Sequence, residues 1–130
     1  MDERASHVLR ETFGNDVIAL ALEHPSFFHL DAALFPIHDD LIAYYPGAFA
    51  PAARATLDAL DCDRIVLDDA EARRWACNGV VLGDVVFVTK GASGIVRELE
   101  RRKLAVAEVD VSEFMKFGGG IKCLTLQHEL

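Results

Sequence analysis

Apolar and polar positions along the chain follow two alternating periods. In residues 2–13 the apolar side chains Ala5, Val8, Leu9 and Phe13 recur at helical spacing, and Gly14 is placed to end that helix. Residues 16–22 (DVIALAL) form a short apolar run that predicts a buried strand. Residues 30–37 and 41–45 predict two strands joined through the polar turn His38-Asp39-Asp40. After Pro46-Gly47, Pro51 suits the first position of a helix running to about Leu60. A strand over 64–67 and a short helix over 69–75 complete this cycle.

A second cycle has the same order. Strands 79–82 and 85–89 flank the two-residue turn Gly83-Asp84, and a helix over 93–103 leads to a strand over 105–111. Ser112 is placed to cap a last helical turn, SEFMK, and the chain closes with three glycines and a predicted strand, IKCLTLQ. The shared order is an internal repeat with a period close to 50 residues. It divides the chain into a remnant at 1–28, β-β-α-β modules at 29–68 and 69–111, and a closing strand at 112–130. The fold class is α/β with mixed sheets, and module faces of this kind are buried only by neighbouring modules.

Composition narrows the function. The 130 residues suit one domain, and 13 Lys+Arg against 21 Asp+Glu give a formal net charge of −8. Such an acidic chain is a poor match for nucleic acid or an anionic membrane surface, since binding phosphates requires a basic patch. No apolar run approaches a bilayer crossing, and the opening MDERASH lacks the apolar core of a signal peptide. Three cysteines without a CxxC pair indicate neither a disulfide framework nor a zinc site, and a cytoplasmic setting is expected. No metal motif and no cofactor motif is found.

Three places carry candidate chemistry. In Phe27-Phe28-His29-Leu30-Asp31, a strand would put His29 and Asp31 on one face, where they could act as an acid/base pair. A surface His near a strand end is the plainer account. Cys123 follows Gly118-Gly119-Gly120, glycines that allow a close approach or positive φ, and so it is a candidate nucleophile; a buried filler cysteine is the alternative. Asn78 opens the second module as His29 opens the first and Cys123 the closing strand. Three equivalent positions thus carry polar groups, although Asn78-Gly79 is equally ordinary turn chemistry. Cys62 and Cys77 read as structural. His7, His24, His38 and His128 read as solvated or structural.

Together FFHLDAALFPI, LIAYYPGAF, CNGVVLGD and VSEFMKFGGGIKCLTL resemble the C-terminal half of the arginine deiminase, dimethylargininase and amidinotransferase superfamily. The likeness spans about residues 13–126. Its most specific elements are the HLD segment and the terminal GGG-x-K-C-x-T-L. The resemblance implies a partial pentein, or β/α-propeller, with about half of five β-β-α-β modules. It further implies that Cys123 attacks a substrate guanidinium to form a covalent thiouronium and that His29 is the general acid and then base. Asp31 would hydrogen-bond the cation, Asn78 would be a polar substrate-site position, and Gly118, Gly119 and Gly120 would form the loop beside the nucleophile. The implied ligand is a cationic guanidino molecule such as arginine or a methylarginine. The implied reaction is hydrolysis, with amidino transfer as the alternative. Whole enzymes of this kind carry an N-terminal half with a further carboxylate and basic residues, so a complementary half or a second copy is an expected partner. A non-catalytic assembly module is the reading from a different class.

Overall fold

A computed structural model describes residues 3–127, which build two three-stranded sheets of identical topology. Helix α1 (Glu3–Phe13) comes first and ends at Gly14, whose φ of +67° and N–H donation to Arg10 O close the last turn. Its predicted apolar stripe finds no core, since Val8 and Phe13 remain exposed.

In the first unit, β1 (Leu34–His38) and β2 (Leu41–Tyr44) form an antiparallel hairpin. Helix α2 (Pro51–Asp58) then leads to β3 (Asp63–Val66), which pairs parallel with β2. The crossover helix is what a parallel return requires. The second unit follows a short helix α3 (Asp69–Ala72). It has the hairpin β4 (Val80–Leu82) and β5 (Val85–Thr89), helix α4 (Ser93–Arg101), and β6 (Ala105–Val109) parallel to β5. A last short helix, α5, covers Ser112–Met115.

One core joins the units: Phe35, Ile37, Leu41, Ala43 and Ile65 pack with Val86, Val88, Ile95 and Leu99. Strand β2 is buried on both faces. Leu41 and Ala43 enter the shared core, whereas Ile42 and Tyr44 face a second cluster with Phe27, Phe49, Ala53 and Leu57. The units approach so closely at Gly79 that a Cβ there would lie 2.5 Å from the Phe35 ring and 2.8 Å from Phe87 O. Glu71 adds a polar tie, its carboxylate accepting the N–H groups of Gly94 and Ile95 at 2.9 and 3.1 Å in the first turn of α4.

The structure corrects several sequence expectations. Residues 16–22 form no ladder: Leu22 makes one isolated antiparallel bridge to Phe49, and no second strand lies alongside among the described residues. The predicted strand 30–37 begins only at Leu34. Residues Leu30–Ala32 instead form a 3₁₀ turn, because Ala32 and Ala33 N–H groups donate back to His29 and Leu30 carbonyls. His29 and Asp31 therefore do not share a strand face, and Leu30 between them is 43% exposed. The expected closing strand is not formed among the described residues: Lys122–Leu124 form a 3₁₀ turn, and 121–127 pair in neither sheet. Ser112 is not a cap; Asp110 Oδ1 accepts its N–H at 3.1 Å. Asp2, predicted within the first helix, and His128 lie outside the described residues. No helix among those described is long and apolar enough to cross a membrane.

Candidate functional site

The site is assembled by two turns rather than by strand ends. The 3₁₀ turn Leu30–Ala32 delivers Asp31, and its first carbonyl comes from His29. The 3₁₀ turn Lys122–Leu124 delivers Cys123, and its start is pinned where Lys122 N–H donates to Asn78 O at 3.1 Å. Val80, Val111 and Ile121 pack together under this segment and join it to β4.

Asp31, Asn78 and Cys123 meet. The Cys123 thiol donates to Asp31 Oδ2 at 3.3 Å, and Asn78 Nδ2 donates to Cys123 Sγ at 3.3 Å. The same amide nitrogen donates to Asp31 O at 3.0 Å and Asp31 Oδ2 at 3.2 Å, while Asn78 Oδ1 accepts the Cys123 N–H at 3.3 Å. Cys123 is exposed, whereas Asn78 is 0% exposed. Asn78, expected as a substrate contact, thus turns its amide into the interior. His29 shares with Cys123 a recess of about 60 Å³ that is also lined by Ser26, Phe28, Ala32, Trp75 and Gly118. Its imidazole stands edge-on to the Phe28 ring, centroids 4.7 Å apart. Neither His29 nor Cys123 opens a strand; the recess joins them across the two turns. Larger open recesses exist elsewhere. One of about 510 Å³ runs along residues 17–24, but it holds no nucleophile, and the chemistry points to the smaller one.

The three glycines differ in their work. Gly118 has φ +76°, a conformation that side chains other than glycine rarely adopt, with open space around it. Gly119 is loosely surrounded. At Gly120 a Cβ would lie 2.5 Å from Asn78 Oδ1, so the absence of a side chain makes room for the amide.

Sequence reasoning missed Trp75. It closes α3 as the left-handed residue of a Schellman motif, with Trp75 N–H on Ala72 O and Ala76 N–H on Glu71 O. At φ +59° this bulky residue carries strain of about 1–2 kcal/mol, and it forms a wall of the thiol recess. Its place as the single Trp, three residues before Asn78, was the only signal available. Cys77 and Cys62 stand apart. Cys77 is buried in the shared core, where burial pushes its thiol up to about 12, and Cys62 is half-buried against the second cluster.

Fold and site together define a thiol-centred site on a scaffold of two repeated β-β-α-β units. No protein-family profile matches the chain. It is, however, 40% identical over 126 residues to the N(G),N(G)-dimethylarginine dimethylaminohydrolase of Mycobacterium tuberculosis, covering 97% of this chain and 42% of that protein. The solved N-terminal domain of ArgZ, a cyanobacterial arginine dihydrolase bound to product, superposes with a TM-score of 0.90 at 27% identity, over 96% of this chain and 46% of that one. The same domain has been solved covalently bonded to a reaction intermediate and, with one cysteine replaced by serine, bound to substrate. SxtG, an amidinotransferase from Microseira wollei, shares the fold with a TM-score of 0.77 at 16% identity, over 97% of this chain and 41% of that one. The chain belongs to the pentein superfamily, and it spans less than half the length of the relatives it matches.

Proposed function

We propose that this chain carries the nucleophile side of an active site that hydrolyses the guanidino group of arginine or a methylated arginine. The observation that carries the reading is an exposed Cys123 sulfur held 3.3 Å from the Asp31 carboxylate, in a recess shared with His29. A guanidinium is a planar cation with a fork of N–H donors, and a carboxylate is its natural acceptor. With the cation against Asp31, its central carbon comes within reach of Cys123.

The chemistry then runs in two halves. The Cys123 thiolate forms a C–S bond to the guanidino carbon. A C–N bond breaks, and the departing ammonia or amine takes a proton from the His29 imidazolium, leaving a thiouronium on Cys123. The neutral imidazole next takes a proton from water, whose oxygen adds to the same carbon. The C–S bond breaks with its electron pair on sulfur, regenerating the thiolate, while the added hydroxyl loses its proton to solvent, where the released ammonia or amine takes it up. The ureido product is freed, citrulline if the substrate is arginine. Hydrolysis is favoured over transfer because a 40% identical relative is named a dimethylaminohydrolase and the 27% identical ArgZ domain an arginine dihydrolase, whereas the amidinotransferase shares only the fold. The covalent intermediate of the ArgZ domain supports the thiouronium step.

The relatives carry more than twice this length of chain. The reading therefore assigns the opposite wall of the pocket, and the groups that hold the substrate's carboxylate, to polypeptide beyond these 130 residues, in a complementary half or a second copy. The test is to supply the chain with the polypeptide that completes its pocket, incubate it with arginine and with dimethylarginine, and assay citrulline. Citrulline formation that disappears in Cys123→Ala supports the reading; formation that survives the substitution contradicts it.

A further inference from the structure

We propose that Asn78 is the positioning residue of the thiol site, its buried amide setting the Cys123 sulfur against Asp31 and favouring its reactive, ionised form. The proposal rests on the reading of Cys123 as the site's nucleophile. Asn78 lies 47 residues from Asp31 and 45 from Cys123 in sequence, and nothing else among the described contacts bonds to both.

Every polar group of this residue is committed. Its N–H donates to Trp75 O at 2.9 Å, and its carbonyl accepts from Lys122 N–H at 3.1 Å. Its side-chain oxygen accepts the Cys123 N–H, and its two amide hydrogens serve Asp31 O, Asp31 Oδ2 and Cys123 Sγ. One side chain thereby ties the turn after α3, the 3₁₀ turn bearing Asp31 and the turn bearing Cys123. A buried amide is kept where its bonds are met, and here all of them are met by the site.

The two partners of the sulfur act in opposite senses. Asp31 Oδ2 accepts the S–H at 3.3 Å. Asn78 Nδ2 donates to sulfur, a bond that strengthens when the sulfur is negative. Asn78 also donates to Asp31 Oδ2 at 3.2 Å, so one amide fixes both the sulfur and the carboxylate that faces it. The other charged or titratable groups near the sulfur are His29, across the recess, and Lys122, whose ammonium is turned to Gln127 Oε1 at 3.0 Å. Gly120 belongs to the same device. A Cβ there would lie 2.5 Å from Asn78 Oδ1 and 3.0 Å from Asn78 Cβ and Cγ, displacing the amide from the sulfur.

The test is iodoacetamide alkylation of the intact chain across pH, read at the peptide carrying Cys123, with the protection of Cys77 as the check that each sample is folded. Asn78→Leu should move the pH–rate profile about one unit to higher pH, making labelling about tenfold slower at neutral pH. Asn78→Ser, a smaller side chain, and Gly120→Ala should move it the same way, so the test survives if Asn78→Leu does not fold. The double variant Asn78→Ser/Gly120→Ala should show far less than the sum, because the oxygen that the new methyl group strikes is gone. Profiles that stay at the wild-type position in folded variants, or effects that simply add, overturn the proposal. No guanidino substrate is involved. Shifted profiles in a chain that makes no citrulline even when supplied with the polypeptide that completes its pocket would therefore refute the proposed reaction and leave the role of Asn78 standing. Unshifted profiles in a chain that does make citrulline would refute the role of Asn78 alone.

Discussion

Cys77 and Cys123 flank the same asparagine, one as its neighbour in sequence and the other as its neighbour in space, and their sulfurs live in opposite surroundings. Cys77 is packed in the shared core between the two units, where its thiol makes a long S–H donation to Ala43 O at 3.9 Å. Burial opposes the charged form and pushes its thiol up to about 12. Cys123 is open to solvent and bonded to an amide and a carboxylate. The functional group is identical, and in the proposed reading access together with a donor to sulfur makes one a filler and the other a reagent.

The sharpest way to break this comparison is to remove each sulfur. Cys123→Ala should abolish citrulline formation, a loss of at least about a thousandfold of the kind expected for a covalent nucleophile. Cys77→Ala should leave turnover within a few-fold while costing about 1 kcal/mol in urea unfolding, as expected for a small buried side chain. Native alkylation at pH 8 comes next. With a thiol near 12, about one Cys77 in ten thousand is ionised, so Cys123 should label at least about a hundredfold faster.

The same raised value has a consequence for stability. The folded state holds the Cys77 proton more tightly than the unfolded chain does. Stability is therefore full below about pH 9 and falls as pH rises toward about 12. Tyr44, raised to about 12 by burial and by its bond to Asp58, acts in the same window. Cys77→Ala should make the alkaline limb shallower by up to about 1.4 kcal/mol per pH unit without removing it. A Cys77→Ala limb as steep as wild type would contradict the assignment.

Two smaller effects separate scaffold from site. Glu71→Ala removes the carboxylate from the first turn of α4 and should cost about 1 kcal/mol, with the Cys123 alkylation profile unmoved. Glu98 is held near 2 by hydrogen bonds from Arg101 and Arg102, well below its usual 4.5, so its contribution exists above pH 4.5 and fades as pH falls toward 2. Because that carboxylate is exposed, Glu98→Gln should lower the melting temperature only slightly at pH 7 and not at all near pH 2. A drop that persisted in acid would show that the substitution acts through packing.

Period and turn chemistry made most of the scaffold legible in the sequence. Both hairpins, the helices from Pro51 and Ser93, and the repeated order follow from local patterns that the structure keeps. The failures share one cause. Residues 16–22 and 121–127 have the apolar content of strands, but a strand exists only where a partner supplies a ladder, and that partner is not local. Residues 30–33 failed for a related reason, since alternation over four residues cannot tell a strand from a 3₁₀ turn closed by its own carbonyls. His29, Asp31 and Cys123 were visible through motif spacing. The inward role of Asn78 was not, because Asn-Gly reads as turn chemistry and the contacts that redirect it come from 45 and 47 residues away.

The central claim, that Cys123 is the nucleophile toward a guanidino carbon, is tested most directly by trapping the adduct. The chain would be mixed with arginine or dimethylarginine, quenched in acid and mapped by peptide mass spectrometry. The account predicts a mass increase equal to the substrate minus its departing ammonia or amine, on the peptide carrying Cys123, and its absence in Cys123→Ser. An adduct of that mass on Cys62 instead, or citrulline released by Cys123→Ser at the wild-type rate, would contradict it.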